Sequence, residues 1–162
     1  MIRLALLACA LAASSVQAEW LDAVEVPWAD RSDFRISYYH GYQLKAQFIC
    51  VDEAYDFLLM DVELTKPLRL FASMPRVEKA RYRVDDGEWR ELLYARYYSA
   101  GSDIHRSHVA FPFTGAPITR FMEGRKAEFV VLDTEGNTHR QTVSLIGFTR
   151  AFNSLPQLDD CK

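Results

Sequence analysis

VSLIGFTRAFNSLPQLDDCK, residues 143–162, decides how the rest of the chain is read. A β-like run over Thr142–Leu145 breaks at Gly147. Beyond it Phe148, Ala151, Phe152 and Leu155 recur at i, i+3, i+4 and i+7, the spacing of one helical face, and Pro156 stops the pattern. The tail then delivers Cys161, and outside the first eighteen residues only Cys50 is available to meet it. The expectation is a short C-terminal helix packed on a β domain and tied to an early strand by a Cys50–Cys161 disulfide.

Working outward, the N-terminus supplies the reason to expect oxidised thiols. Residues 1–18, MIRLALLACALAASSVQA, place Arg3 before an apolar core over Leu4–Ala13 and end in small residues at Val16-Gln17-Ala18. That is the pattern of a signal peptide cleaved after Ala18. A membrane-spanning anchor needs about 20 apolar residues, which this run does not reach, so no membrane span is expected in the mature protein. Cleavage before Cys9, as in a lipoprotein, leaves too short a leader for a charged end plus an apolar core. Export predicts a periplasmic or secreted protein, the compartment in which two cysteines pair. A Cys50–Cys161 bridge closes a loop of about 110 residues, for which loop-closure entropy gives about 4–5 kcal/mol as an upper figure.

The remaining 144 of 162 residues fit a single domain over 19–162 with a real core. Without Arg3, the 19 basic side chains become 18 against 22 acidic ones, a formal charge of −4. An acidic balance of this kind lacks the basic footprint of a nucleic-acid binder, and no nucleic-acid partner is expected.

Along the chain, Glu19–Ser32 reads as an irregular arm pinned by Trp20 and Trp28. Strand patterns follow over Phe34–Tyr39, Tyr42–Val51, Phe57–Leu64 and Leu68–Ala72, and the alternation in the second places Cys50 on a buried face. Val77–Tyr98 is the clearest hairpin, with Asp86-Gly87 at its centre. A two-residue turn sets Arg83 opposite Arg90, a like-charge pair; a three-residue turn matches Arg81 with Glu91 instead, and the sequence leaves both open. Ser99–Asp103 reads as a polar loop, Ser107–Thr114 as a strand and Ala116–Met122 as a one- or two-turn helix. Lys126–Asp133 and Thr138–Leu145 form a second hairpin around Thr134–Asn137. About eight or nine short strands with a terminal helix predict an all-β fold, a β-sandwich or partly open barrel.

No stretch carries a catalytic signature. His105 and His108 are the one close histidine pair, but three apart on a strand they face opposite ways, and no third ligand follows, so no metal site or cofactor is expected. No Gly-x-Ser-x-Gly elbow is present. The adjacent carboxylates at Asp30 and Asp33, Asp52 and Glu53, and Asp85 and Asp86 suit solvated turns better than the separated acid and base of glycoside cleavage. The cationic and aromatic side of the central hairpin, Lys79, Arg81, Arg83, Arg90, Tyr94 and Arg96, is the candidate binding face, because arginine and tyrosine are enriched where proteins grip partners. Strand edges are also routinely blunted by cations, so a solvated protective face is the competing reading.

Taken together, the leader, the early strand cysteine, RVDDGEW at Arg83–Trp89, Gly124 before Ala127–Leu132, Gly136 and VSLIGFTRAF at Val143–Phe152 resemble the invasion-associated locus B family of exported bacterial proteins. The closing cysteine is similar to that of small periplasmic accessory proteins encoded with type VI secretion systems. The resemblance covers residues 77–155, and the chain departs from the locus B pattern in having fewer cysteines. It implies a non-enzymatic β domain in the periplasm with no catalytic residues to carry over. The expectation is therefore an exported binding or accessory protein acting on another protein or an envelope component. An envelope hydrolase acting on peptidoglycan or glycan is the alternative.

Overall fold

The computed structural model describes residues 18–27, 32–51, 54–63, 76–100, 103–112 and 116–154. These form two open antiparallel sheets and two short helices. β1 (Ala18–Pro27), β2 (Ser32–His40), β3 (Gln43–Val51) and β4 (Ala54–Glu63) run in sequence order. They are joined by β8 (Asp103–Pro112) and β7 (Arg96–Ala100) into a six-stranded sheet of order β1-β2-β3-β4-β8-β7. The second sheet has four strands in the order β10-β9-β5-β6, from β5 (Val77–Val84), β6 (Arg90–Leu92), β9 (Lys126–Asp133) and β10 (Thr138–Ser144). Helix α1 (Ala116–Glu123) precedes β9 and α2 (Phe148–Phe152) follows β10.

The all-β expectation holds in this form: the sheets are open and do not close into a barrel, and ten strands stand among the described residues where about eight or nine were expected. The arm expected over Glu19–Ser32 is a correction. Residues 18–27 are an edge strand in register with β2, from Ala18 opposite His40 to Pro27 opposite Ser32. The register slips between Leu21 and Val24, which throws the apolar alternation out of phase and explains why the sequence reads as irregular. Trp20 is buried as expected, while Trp28 lies outside the described residues. The polar loop expected over Ser99–Asp103 is also shorter than read, since Ser99 and Ala100 belong to β7 and Asp103 opens β8. The strand expected over Leu68–Ala72 lies outside the described residues, as do Leu155 and Cys161.

One cluster of aromatic rings joins both sheets and both helices. Trp20 of β1 meets Phe148 of α2 edge-on at 5.0 Å, and Phe148 meets Phe121 of α1 at 5.7 Å. Phe121 touches Phe129 of β9 at 6.0 Å, and Phe129 reaches Phe111 of β8 in the larger sheet at 5.7 Å. Edge-to-face pairs of this kind add about 0.5–1.5 kcal/mol each beyond their buried area. Gly147 permits the sharp entry to α2: its φ of +87° is left-handed, and it caps the helix after β10 has already ended at Ser144, one residue short of the expected Leu145. Cys50 sits on the buried face of β3, 4% exposed, as the alternation predicted.

Helix α2 also shields the outer edge of β1. The Ala23 N–H donates to Ser154 Oγ at 2.8 Å, and Arg150 Nη2 donates to the Trp20 carbonyl at 3.0 Å. Two backbone groups near the start of β1 are thereby occupied by side chains.

Candidate functional site, an arginine and aromatic cleft

The central hairpin settles its own register. Ala80 faces Leu92, Arg81 faces Glu91 and Tyr82 faces Arg90, the pairing of the three-residue turn. Asp85 adopts a left-handed φ of 51°, and the Gly87 N–H closes onto the Val84 carbonyl at 3.0 Å. The Asp85 carboxylate accepts the Arg125 N–H at 3.1 Å and the Lys126 N–H at 3.0 Å, clasping the hairpin tip to the start of β9. A Cβ on Gly124, the residue between α1 and that clasp, would lie 2.2 Å from Val84 Cγ1. Hairpin and helix are therefore held against each other.

This register divides the six residues of the expected binding face. Lys79, Arg81 and Arg83 share the outer side of β5, and there they are largely neutralised. Lys79 Nζ lies 3.0 Å from Glu91 Oε1. Arg83 donates to Glu128 Oε2 through Nη2 at 2.6 Å and Nε at 2.8 Å, and Lys126 Nζ reaches Glu128 Oε1 at 3.1 Å. Hydrogen bonds from Arg83 and then Lys126 hold the Glu128 carboxyl below its usual range, and Glu128 in turn holds the Lys126 ammonium above its own. Trp89 lies beneath two guanidiniums at once, Arg81 at 4.8 Å and Arg83 at 4.9 Å from its ring centroid. For this side of the sheet the solvated, self-compensated reading has the better support.

Arg90 points the other way. Opposite Tyr82, it lines a cleft of about 560 Å³ that runs beside β6, within the size range of ligand sites. Residues 89–94 form one wall; Pro112 at the end of β8 and Pro117 and Arg120 of α1 form the other, with the buried Tyr82 at its base. Arg120 Nη1 donates to the Tyr82 hydroxyl at 3.4 Å, and among the described residues no carboxylate pairs with Arg90 or Arg120. Leu93 and Tyr94, 66% and 81% exposed, form the lip. Arg96 stands apart on β7 in the other sheet.

No family model, curated protein or solved structure matches this chain.

The other chemistry-bearing residues do not join the cleft. His108 is half-buried on β8 and burial lowers its pKa; the side chain of His105 lies outside the described residues. No group of three metal-ligating side chains occurs among the described residues. Asp33 is buried and pairs with Arg35 at 2.8 Å, Asp85 serves the clasp, and Asp86 sits exposed at the turn. Asp30, Asp52 and Glu53 lie outside the described residues. Two cations among aromatic and apolar walls can hold an anion, with the rings covering whatever apolar or planar surface comes with it. Arg120, Tyr82, Pro112 and Pro117 escaped the sequence reading because nothing in a lone helix pattern says which strand its polar side will face.

Proposed function

We propose that this chain is an exported binding or accessory protein, periplasmic or secreted, that works without catalysis by capturing an anionic stretch of another protein or envelope component in the Arg90–Arg120 cleft. The observation that carries the reading is the contrast between the two sides of the hairpin. Lys79, Arg83 and Lys126 have carboxylates within 4 Å, whereas Arg90 and Arg120 meet none among the described residues. Arg90 is exposed and Arg120 half-buried in the lining of one cleft, so both charges are available to an incoming anion, and both stand on a chain of net negative charge. The leader supports export. Burial of Cys50 supports the proposed bridge to Cys161 as the clamp on the C-terminal tail. The resemblance to exported locus B proteins read from the sequence, which none of the comparisons reproduces, would imply the same non-enzymatic role.

The test is capture from envelope extract by the oxidised mature protein. The Arg90→Glu, Arg120→Glu double variant should lose the captured partner while keeping its far-UV spectrum, and Arg81→Glu should keep both. Loss with Arg81→Glu and retention with the double variant would move the site to the outer side of the sheet.

A further inference from the structure

Resting on that reading, we propose that the occupant of the cleft is an extended acidic polypeptide segment that adds as a strand along the edge of β6 that no other described strand covers and places its carboxylates on Arg90 and Arg120. The shape of the site is the first argument. β6 ends the smaller sheet among the described residues, and its three residues, with Trp89 before them and the turn Leu93–Tyr94 after, are consecutive in the lining of the cleft, so backbone as well as side chains borders it. A second hollow of about 240 Å³ is lined by Glu91–Ala95 together with Val77–Ala80, so residues 91–94 border open space beside β5 as well. A sheet edge presents alternating N–H and C=O groups, which match the backbone of another chain in a way no glycan does.

The opposite wall is the second argument. Pro112 and Pro117 have no N–H to offer, so these two residues cannot supply the donor half of a strand pairing, which leaves that role to β6. Their rings, with Leu93 and Tyr94, leave apolar surface for the side chains between the carboxylates. The contrast with β1 is the third argument: the fold shields that edge with Ser154 and Arg150 of the α2 region, yet it leaves β6 beside an open, pre-shaped channel.

The experiment titrates the oxidised mature protein by calorimetry with three probes. They are an alternating glutamate–valine heptapeptide, the same peptide methylated on alternate backbone nitrogens, and an oligogalacturonate of similar charge. The unmodified peptide should bind and slow amide exchange at Arg90–Leu92. Methylation should weaken it by about tenfold or more, the worth of a hydrogen bond or two. The Arg90→Gln, Arg120→Gln variant should weaken it by a similar factor. Equal binding of the methylated peptide, or preference for the oligogalacturonate, overturns strand addition and leaves the anionic cleft standing. Binding by none of the three overturns both. The probe comparison uses the unaltered protein, so it stands even where a variant misfolds.

Discussion

Asp133 shows how much structure one side chain organises. It is fully buried at the end of β9, where its carboxylate accepts the N–H groups of Glu135 and Asn137 at 2.9 Å each and the Asn137 amide at 3.0 Å. His139 Nε2 lies 3.5 Å away. Burial pushes this carboxyl upward, but the bonds from Asn137 and Glu135, with the His139 ring close by, outweigh it and leave the net shift downward. A carboxyl depressed in the folded state contributes stability that is complete above its unfolded value of about 4 and drains away as pH falls through the folded one. Asp133→Asn should therefore cost about 1–3 kcal/mol near neutral pH and flatten the acid limb of a denaturation profile; an unchanged acid limb would assign that limb to other groups. The same charge, after burial itself, pushes the neighbouring Tyr97 phenol upward. Gly124 is the second position where a single atom decides. An added methyl meets Val84 Cγ1 at 2.2 Å and the Arg120 carbonyl at 3.0 Å. Gly124→Ala should lose about 1–3 kcal/mol in urea denaturation and loosen the cleft with it.

Among the elements, α2 has the greatest leverage for its length. Five residues bury Phe148, Ala151 and Phe152, and the same turn shields the backbone of β1. Phe148→Ala should cost about 3–5 kcal/mol and speed amide exchange at Ala23, since the helix and the edge it covers are one unit. Exchange unchanged at Ala23 would separate the two. This element was legible because its apolar spacing and its glycine agree, although it ends at Phe152, short of the Leu155 that the spacing included, and Leu155 and Pro156 lie outside the described residues. The second hairpin was legible for a similar reason, with Gly136 at a left-handed φ of 84° inside the Thr134–Asn137 turn. β1 was not, because an edge strand with one buried face and a register slip shows no clean period, and its extended form comes from pairing with β2. The central hairpin was half legible. Its location follows from Asp86-Gly87, but its register depends on Asp85 reaching Arg125 and Lys126, residues some forty positions away. That long-range contact is also why the expected binding face divides into a compensated side and a cleft.

At the scale of the molecule, a cationic cleft on a chain of net negative charge focuses attraction at one place. Capture of an acidic partner should weaken as salt rises from low ionic strength to about 0.5 M, where charges separated by more than a few ångströms are screened. Salt-independent capture would point to the apolar lip instead. The proposed Cys50–Cys161 bridge acts at this scale too. Cys161→Ser should lower the melting temperature without abolishing the fold, by up to the roughly 4–5 kcal/mol of loop closure. Two free thiols in non-reducing mass spectrometry of the exported protein would remove the bridge.

Trp20, near the beginning of the chain, is sheltered by Phe148 and donates its indole N–H to the Ser144 carbonyl at 2.6 Å. Any machinery that delivers this polypeptide head first, whether a ribosome or a secretion pore, must release it through Phe148 before that indole finds its seat. Final consolidation thus waits for an acceptor 124 residues downstream of the indole, so a chain paused between the two stays pliable enough to thread, and one truncated before Phe148 leaves an oily strand for chaperones and proteases to find.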